Sequence, residues 1–451
     1  MKPAHVRDRH SGLAKPAKPM VLVRANAFMR IHLLNRHLDS HSLFDCQTIS
    51  YSLPFLESSS QKKTIMRITP LLLLTPFVQA IVHPGLLHTE ADFTRIRSFV
   101  NATREPWLTG WNKLVARTNP NYSPSAAVVV CRGASWCDPQ NYPVLYRDAH
   151  AAYVNAIYWK VTGNTAYADA SARILDAWAT TLTTVTGSSD KALVAGLQGY
   201  QLANAAEILR TYSSWKGLPA VVNMLNRVFL PMNDDFLRNH YGASIYHYWA
   251  NWDLANLASL HAIGVLGDNQ TAINQAVNYF KTGAGMGAIN NAIWHVHKES
   301  GSGKRLGQGQ EAGRNQGHAL LDFALLGVLA QQSYNQGQDL FALNNNLILA
   351  GAEYVFKYNT GKDVPFETYV NPDQGTATAI SASGRGGLRP IAELIYAHYD
   401  GVKDLNASWT GAYRDLVVQG AGGAEGGGGD YGSTSGGYDQ LGFGTILFRR
   451  G

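Results

Sequence analysis

The chain has 451 residues, of which 45% are hydrophobic and 16% charged, so it has enough apolar sequence for one large core or two smaller ones. Its net charge of +6 arises in the first 80 residues, which hold 11 of the 38 Lys and Arg but only 4 of the 32 Asp and Glu. Residues 81–451 therefore carry 27 basic and 28 acidic side chains, a net charge of −1. This balance gives no support to nucleic-acid binding.

The N-terminal part of the sequence does not look like part of a folded core. Residues 1–65 are rich in Arg, His and Ser without sustained periodicity, and we interpret them as an upstream extension of the gene or a disordered leader. Residues 66–80, MRITPLLLLTPFVQA, have a short basic start, an apolar run too short to span a bilayer, and small residues before the end. They predict a signal peptide and a secreted, extracellular protein, with an internal anchor as the alternative.

Cysteine usage and glycosylation sequences fit a secreted protein. Beyond residue 80 the cysteines are Cys131 and Cys137, in CRGASWC. A pair with this spacing predicts a local disulfide that closes a small loop, with two reduced thiols as the alternative. Four Asn-X-Ser/Thr sequences are expected to accept N-linked glycans, at Asn101, Asn121, Asn269 and Asn406.

From His83 onward the pattern is helical, in segments of roughly ten to twenty residues separated by Gly, Pro and Asn. The segments include TEADFTRIRSFV, YRDAHAAYVNAIYWKVTG, TAYADASARILDAWATTL, GLQGYQLANAAEILRTYSSW, WDLANLASLHAIGVLG, QTAINQAVNYFK and LFALNNNLILAGAEYVFKYN. Consecutive helical hairpins bury their apolar faces most economically by closing into a ring. We therefore expect an all-α fold, an incomplete α/α toroid of about six or seven hairpins, in one domain over residues 81–451. A linear solenoid is the alternative, but no fixed repeat supports it.

Glycine-rich stretches interrupt these helices at GAGMGAINN, GSGKRLGQGQ and GAGGAEGGGGDYGSTSGGYDQLGFG. None has phosphate-loop spacing after a strand, so no nucleotide cofactor is predicted. We expect them to form loops over one mouth of the ring, although the last could be a loosely ordered tail. The sequence HVH, residues 295–297, lacks a third clear ligand, and no metal is predicted.

The stretch YHYWANWDLANLASL contains a first candidate site at the start of a helix. Asn251 stands where free backbone N–H groups and the helix dipole favour an anion such as a carboxylate. Trp249 and Trp252 flank it and could stack on a sugar ring. The alternative is that both tryptophans belong to the core and Asn251 is only a helix cap.

A second candidate site lies in GQGQEAGRNQGHALLDFALLGVLA. On one helix Glu311, Arg314, His318 and Asp322 would form a stripe along one face, since the last three lie three, seven and eleven residues after the first. The remainder of the helix is apolar, which favours a buried cleft over a solvated surface for this stripe.

A third candidate site is GRGGLRPIAELIYAHYDG. Pro390 fits a first helical turn, which would place Arg389, Glu393 and Tyr396 on one face and turn Tyr399 away. The alternative is that Tyr396 is a packed aromatic with Arg389 as its surface neighbour.

The order of HPGLLHT, GLQGYQLANAAEILRTY, NW, EAGRNQGH, GRGGLRP and YDQLGFGT across residues 83–448 resembles the alginate-lyase-like polysaccharide lyases of the α/α toroid class. The similar branch includes fungal glucuronan lyases and bacterial alginate lyases. The resemblance implies β-elimination at a 4-linked uronic acid by an asparagine, a histidine, an arginine and a tyrosine. These match Asn251, His318, Arg389 and Tyr396, with Arg385 as an alternative arginine.

Two other tyrosines compete for the catalytic position, Tyr399 and Tyr369. Trp249, Trp252, Glu311, Arg314, Arg385 and Tyr399 are expected to bind substrate.

The residue types suit this chemistry. The C5 proton of a uronate leaves only when the neighbouring carboxylate is neutralised, as Asn251 and Arg389 could do. A base must then take the proton and an acid must protonate O4. In glucuronate or mannuronate these atoms lie on one side of the ring, so one tyrosine could serve both steps, and His318 is either the base or a neutralising group.

The expected partner is an acidic polysaccharide, either glucuronan or alginate, bound by a monomer without nucleic acid, membrane or cofactor. A glycoside hydrolase on the same fold would need two carboxylates, for which Asp253 and Glu311 are the candidates. A secreted carbohydrate-binding protein without catalysis is the third hypothesis. A lyase makes an unsaturated product that absorbs ultraviolet light, a hydrolase makes reducing ends without it, and a binding protein makes neither.

Overall fold

The computed structural model describes residues 80–451, so the proposed leader and signal peptide lie outside the described part. Within it are fifteen α-helices and six short strands. The helices are α1 (Glu90–Asn101), α2 (Trp107–Val115), α3 (Tyr142–Thr162), α4 (Thr165–Thr181), α5 (Lys191–Leu209), α6 (Leu218–Met224), α7 (Leu230–Asn239), α8 (Ala250–Leu266), α9 (Gln270–Thr282), α10 (Ile289–Ala292), α11 (Gln316–Asn335), α12 (Leu343–Asn359), α13 (Ala392–Tyr399), α14 (Ser408–Gly420) and α15 (Gly444–Leu447). The prediction of a mainly helical fold is confirmed.

The strands form three two-stranded sheets in the described residues. Strands β1 (Val129–Arg132) and β2 (Thr184–Gly187) pair in parallel. Strands β3 (Ile293–Lys298) and β4 (Arg305–Gly309) form an antiparallel pair, as do β5 (Tyr369–Asn371) and β6 (Gly375–Ala377). The glycine-rich GSGKRLGQGQ is therefore the turn and second strand of a hairpin, and the prediction of an open loop there is wrong.

Helices α3, α5 and α8 pack side by side in that order and start at the same end. Strand β1 leads into α3 and its parallel partner β2 leads into α5. Helices α5 and α8 approach closely in parallel: a Cβ atom added to Gly196 would lie 2.7 Å from Ala255, and one on Gly199 would lie 2.1 Å from Ser259 Oγ. Glycine permits this approach, which fixes the start of α8 relative to the start of α5.

The C-terminal glycine-rich segment is built into the protein. The Tyr200 hydroxyl on α5 donates to the Asp439 carbonyl at 2.6 Å, and Gln201 Nε2 donates to the Tyr438 carbonyl at 2.7 Å. The Gly428 amide donates to His150 Nε2 on α3 at 2.7 Å. The alternative of a loosely ordered tail is wrong, because these bonds join the segment to two helices.

The structure also bears on the disulfide and the glycosylation sites that were predicted for a secreted protein. Cys131 and Cys137 are disulfide-bonded, with a Cα–Cα distance of 6.0 Å, so the predicted pair is confirmed. Asn101, Asn121 and Asn406 are exposed, whereas Asn269 is half-buried and its Oδ1 caps α9 by accepting from the Ala272 amide. Glycosylation at these positions stays a prediction. No helix in residues 80–451 is long and apolar enough to cross a bilayer.

Buried histidines lead to a prediction about acid stability. Burial lowers the pKa of His88, His150 and His261 to about 4. An unfolded histidine titrates near pH 6.5, so the unfolded chain takes up protons between about pH 6.5 and 4 that the folded protein excludes. Each of these histidines therefore destabilises the fold progressively as the pH falls through that window, by on the order of 2–3 kcal/mol at its lower end.

His261, on α8, tests this effect because neither ring nitrogen bonds another described atom. Buried carboxyls respond to acid in the opposite direction, so the measurement is a difference between variants. We expect the Tm of His261→Leu, relative to wild type, to rise as the pH is lowered from 7 to 4.5, measured by circular dichroism. A difference in Tm that does not change with pH would contradict the prediction.

Candidate active site

The start of α8 is tied to the segment before α11. The Ala250 amide donates to Gln310 Oε1 at 2.8 Å, and the Asn251 amide donates to Glu311 Oε1 at 3.2 Å. The Asn251 N–H group at this helix end thus binds a carboxylate, as the helix dipole favours, but this carboxylate is the protein's own Glu311. Asn251 is buried, and its Oδ1 has no hydrogen-bond partner among the described residues.

The predicted stripe is not on one continuous helix. Strand β4 ends at Gly309, a 3₁₀ turn covers Gln310–Gly313, and α11 begins at Gln316 after the cap Asn315. Asn315 ends the turn because its backbone is extended and its side chain binds the first turn of α11. The side chains still meet, since Arg314 Nη1 lies 2.6 Å from Glu311 Oε2.

His318 is held in one tautomer by that same cap. Asn315 Oδ1 accepts from the His318 backbone amide at 3.0 Å and also contacts the ring Nδ1 at 2.9 Å. The backbone N–H identifies this Asn315 atom as the carbonyl oxygen, which carries no hydrogen and can only accept, so the ring must carry its proton on Nδ1. The lone pair of His318 is therefore on Nε2.

The charges around His318 keep its ring neutral. Burial, together with the positive charges of Arg314 and Arg389, lowers its pKa to about 4. A half-buried imidazole that stays neutral near two guanidinium groups can accept a proton, while the guanidinium groups can bind an anion. That His318, Arg314 and Arg389 act together in one site stays a prediction.

Two buried carboxyl groups, those of Glu311 and Asp322, lie close to Arg314. Glu311 and Asp322 are both buried, and burial raises the pKa of each carboxyl. The charge of Arg314 opposes this for Glu311, whereas the neighbouring Glu311 raises the pKa of Asp322 further. The pair therefore holds a proton on Asp322 and a charge on Glu311, and this charge fixes Arg314 through their ion pair.

Tyr369 is brought to this region by the hairpin β5–β6. Its hydroxyl oxygen accepts from Gln310 Nε2 at 2.9 Å and from Asn371 Nδ2 at 3.2 Å. With Trp249 and Arg314 it lines a cavity of about 440 Å³, beside the residues Gln374–Ala379. The Arg314 guanidinium stacks over the Trp249 ring, 4.9 Å from its centroid. Two amide donors at the tyrosine oxygen would stabilise negative charge that develops there.

Arg389 reaches the site from a loop. Helix α13 begins at Ala392, so the prediction that Arg389, Glu393 and Tyr396 share one helical face is wrong. The Arg389 Nη1 atom lies 3.3 Å from Gln440 Oε1 and 3.6 Å from Asp439 Oδ2, in the C-terminal segment. The arginine is thus held between the loop before α13 and that segment.

Neither predicted tyrosine of α13 joins this group. The Tyr396 ring packs under Arg414, 4.1 Å from its guanidinium carbon, and lines a different cavity with residues 400 and 404–408. Burial, with Asp400 beside it, raises the pKa of the Tyr396 hydroxyl, which opposes a role as base. Tyr399 is fully buried and donates to the Phe341 carbonyl at 2.8 Å. The prediction that Tyr399 binds substrate is wrong because it is a core residue.

Two other predicted binding residues also have structural partners. Trp252 packs against Phe236 and Tyr248, so of the two tryptophans flanking Asn251 only Trp249 lines the cavity. The Arg385 guanidinium stacks over the Tyr358 ring at 3.9 Å and forms an ion pair with Asp363. Of the two arginines, Arg389 is therefore the better candidate for the predicted catalytic arginine.

The carboxylates considered for hydrolysis do not face each other across the cavity. Asp253 is buried and accepts bonds from the Tyr279 hydroxyl at 2.9 Å and the Gly287 amide at 3.0 Å, while His240 Nε2 lies 2.9 Å away. Glu311 is bound to Arg314 and Asn251. Both carboxylates are therefore occupied by the protein's own donors.

Some residues of this site were not predicted. Gln310 and Asn315 position Tyr369 and His318, and the cap position of Asn315 before an apolar helix was a usable signal. His295 and His297 lie on β3, and in residues 80–451 no three His, Cys, Asp or Glu side chains converge as metal ligands.

The fold of the described chain is shared with solved alginate lyases, a class of polysaccharide lyase. An alginate lyase from Bacteroides ovatus has a TM-score of 0.53 at 10% identity, covering 74% of this chain and 96% of that one. A variant of alginate lyase A1-III, an enzyme of Sphingomonas species A1, was solved with a tetrasaccharide and has a TM-score of 0.51 at 14% identity, covering 82% and 97%. At these identities the likeness shows the fold. No protein-family model and no curated protein matches the chain.

Proposed function

We propose that this protein is a secreted, monomeric polysaccharide lyase of the α/α toroid class. Its substrate would be a 4-linked polyuronate, either glucuronan or mannuronate-containing alginate, cleaved by β-elimination. The observation that carries the proposal is the neutral His318, whose Nε2 has no hydrogen-bond partner in residues 80–451 and whose ring is acted on by the charges of Arg314 and Arg389. A base beside two cations suits the removal of a proton next to a carboxylate.

Arg314 and Arg389 would bind the carboxylate of the uronate whose C5 proton is removed. The Arg389 Nη1 atom makes long contacts with Gln440, the Gly436 carbonyl and Asp439, at 3.3, 3.5 and 3.6 Å, so a substrate carboxylate can compete for its donors. Binding this anion also offsets the positive charges that lower the pKa of His318, and so raises the basicity of the imidazole when substrate is present.

His318 Nε2 would then take the C5 proton. The electrons of the C5–H bond form the C4–C5 double bond as the C4–O4 bond breaks, and O4 must receive a proton. Tyr369 can donate it, because the amides of Gln310 and Asn371 would stabilise the phenolate that remains. Tyr369 thus replaces Tyr396 as the proposed catalytic tyrosine.

The proposal favours a lyase over the two alternatives. A hydrolase needs two carboxyl groups free to act on the scissile bond, whereas Asp253 and Glu311 are occupied by protein donors. A binding protein without catalysis needs no free imidazole lone pair beside paired cations.

We expect purified protein to release ultraviolet-absorbing products from at least one member of a panel of glucuronan, polymannuronate, polyguluronate and mixed alginate. A matched preparation of His318→Ala controls for contaminating enzymes, and a carboxyl-reduced polymer tests the need for the uronate charge. Reducing ends without ultraviolet absorbance would indicate a hydrolase. Binding without either product would contradict catalysis.

A further inference from the structure

A second arginine–aromatic pair joins the loop closed by Cys131 and Cys137 to the first residue of α3. The Arg132 guanidinium lies over the Tyr142 ring, 4.7 Å from its centroid, much as Arg314 lies over Trp249 at 4.9 Å. Arg132 Nη1 is buried but has no hydrogen-bond partner among the described residues. An arginine stacked on an aromatic ring, with donors left over, can bind a carboxylate beside a sugar face.

The same loop exposes a tryptophan. Trp136 is 73% exposed, more than any other large hydrophobic side chain in the described residues. Trp136 directly precedes Cys137 of the disulfide, and its backbone amide donates to the Gly133 carbonyl at 2.9 Å. An exposed aromatic on a cross-linked loop loses little conformational freedom when a ligand stacks on it.

Other bonds hold this loop in place. Asn141 Oδ1 accepts from the Cys131 amide at 2.7 Å, and Asn141 Nδ2 donates to the Val129 carbonyl at 2.8 Å. Gln140 Oε1 accepts from the Gly133 amide at 2.6 Å. The disulfide and these three bonds fix Arg132 and Trp136 next to the start of α3.

Charged and polar groups connect the loop to Arg389. Burial raises the pKa of the Asp439 carboxyl, and Arg389 and Arg132 oppose that rise through their positive charges. Asp439 Oδ2 lies 3.6 Å from Arg389 Nη1, and the positive charge of Arg132 also acts on this carboxyl. Next to it on α5, Gln201 Oε1 has no hydrogen-bond partner in the described part of the chain, and neither has Gln198 Oε1 one turn earlier. Gln198 and Gln201 lie halfway along α5, whereas strand β2 leads into the start of that helix and Trp249 caps the start of α8.

We propose that the loop Cys131–Cys137 forms a second uronate-binding subsite, in which Arg132 binds a carboxylate and Trp136 stacks on a sugar ring. The inference rests on the proposed function, because a polyuronate carries one carboxylate on every sugar and so needs cations repeated along its path. Arg314, Arg389 and Trp249 would then bind the polymer at the reacting sugar, and Arg132 with Trp136 would bind a sugar further along it.

The test compares Arg132→Gln and Trp136→Ala with Lys216→Gln, a control that removes one positive charge at the far end of α5. Steady-state kinetics are measured on the polyuronate that wild type cleaves. Either loop variant should raise KM about tenfold, the scale of losing one charge-assisted contact or one stacked ring, and should keep kcat within twofold of wild type. Reduction of the disulfide should raise KM in the same way while circular dichroism stays unchanged. Lys216→Gln should match wild type.

The outcomes separate this subsite from the function on which it rests. Unchanged KM in both folded loop variants overturns the subsite and leaves the lyase intact. If wild type cleaves no polyuronate, calorimetric titration with oligoglucuronate and oligomannuronate decides the subsite alone: binding that Arg132→Gln weakens about tenfold supports it, and equal binding overturns it. A loop variant that lowers kcat instead of raising KM also overturns it.

Discussion

Replacing His318 by alanine is expected to lower kcat on the cleaved polyuronate by roughly two or more orders of magnitude, the scale of losing an acid–base group. The Tm should stay within a few degrees of wild type, because the side chain is half-buried and its ring bonds only Asn315. Ultraviolet assays of kcat and circular dichroism of the same preparations measure both quantities. An unfolded variant or near-normal turnover would remove His318 from the mechanism.

The pH dependence gives a second readout of the same residue. A base with a pKa of about 4 in the free enzyme is protonated only below that pH, so the acidic limb of kcat/KM should lie near pH 4 to 5, well below the usual histidine range. Asn315→Asp keeps an acceptor for the ring Nδ1 and adds a negative charge, which favours the imidazolium. The limb should therefore move to higher pH in this variant, while a purely structural role for His318 predicts no movement.

Most of the helices could be predicted from the sequence because they are long and because the residues that begin and end them act locally. The segments predicted for α3 and α4 agree with Tyr142–Thr162 and Thr165–Thr181, separated by Gly163 in a left-handed cap. The capping-box spacing of Thr89 and Asp92 at the start of α1 is likewise present. Such signals act within a few residues, so periodicity and caps suffice to find them.

The site was predicted in part for a related reason. Glu311, Arg314 and His318 are close in sequence, so they meet even though the helix that was expected to carry them is broken at Asn315. Arg389 was expected on the helix that carries Tyr396, whereas it precedes α13 and is held by the C-terminal segment.

The position of Tyr369 could not be obtained from local patterns. It lies in a three-residue strand, and its place is set by Gln310, which is 59 residues earlier, and by the turn at Asn371. The same holds for the glycine-rich C-terminal segment, for which the sequence left a loosely ordered tail open as an alternative to a loop. Its partners are His150 and Tyr200, on two helices far away in sequence.

Replacing Tyr369 by phenylalanine is expected to lower kcat by roughly a hundredfold or more, because the change removes the hydroxyl that would protonate O4 and keeps the ring. Binding of oligosaccharide should be nearly unchanged, since Trp249, Arg314 and Arg389 remain. Tyr396→Phe is the matched control: it removes one hydroxyl from a tyrosine that lies beside Arg414 and Asp400, and it should retain activity. Ultraviolet kinetics and calorimetric titration with an oligouronate measure the two effects.

The two proton steps can be separated with the same variants. If His318 takes the C5 proton and Tyr369 protonates O4, Tyr369→Phe should still exchange the C5 proton with deuterated solvent, seen by NMR, while His318→Ala should not. Loss of exchange in folded Tyr369→Phe would assign both steps to the tyrosine and make His318 a neutralising group. An active Tyr369→Phe with a folded but inactive Tyr396→Phe would return the catalytic role to α13, although Tyr396 packs beneath Arg414 there.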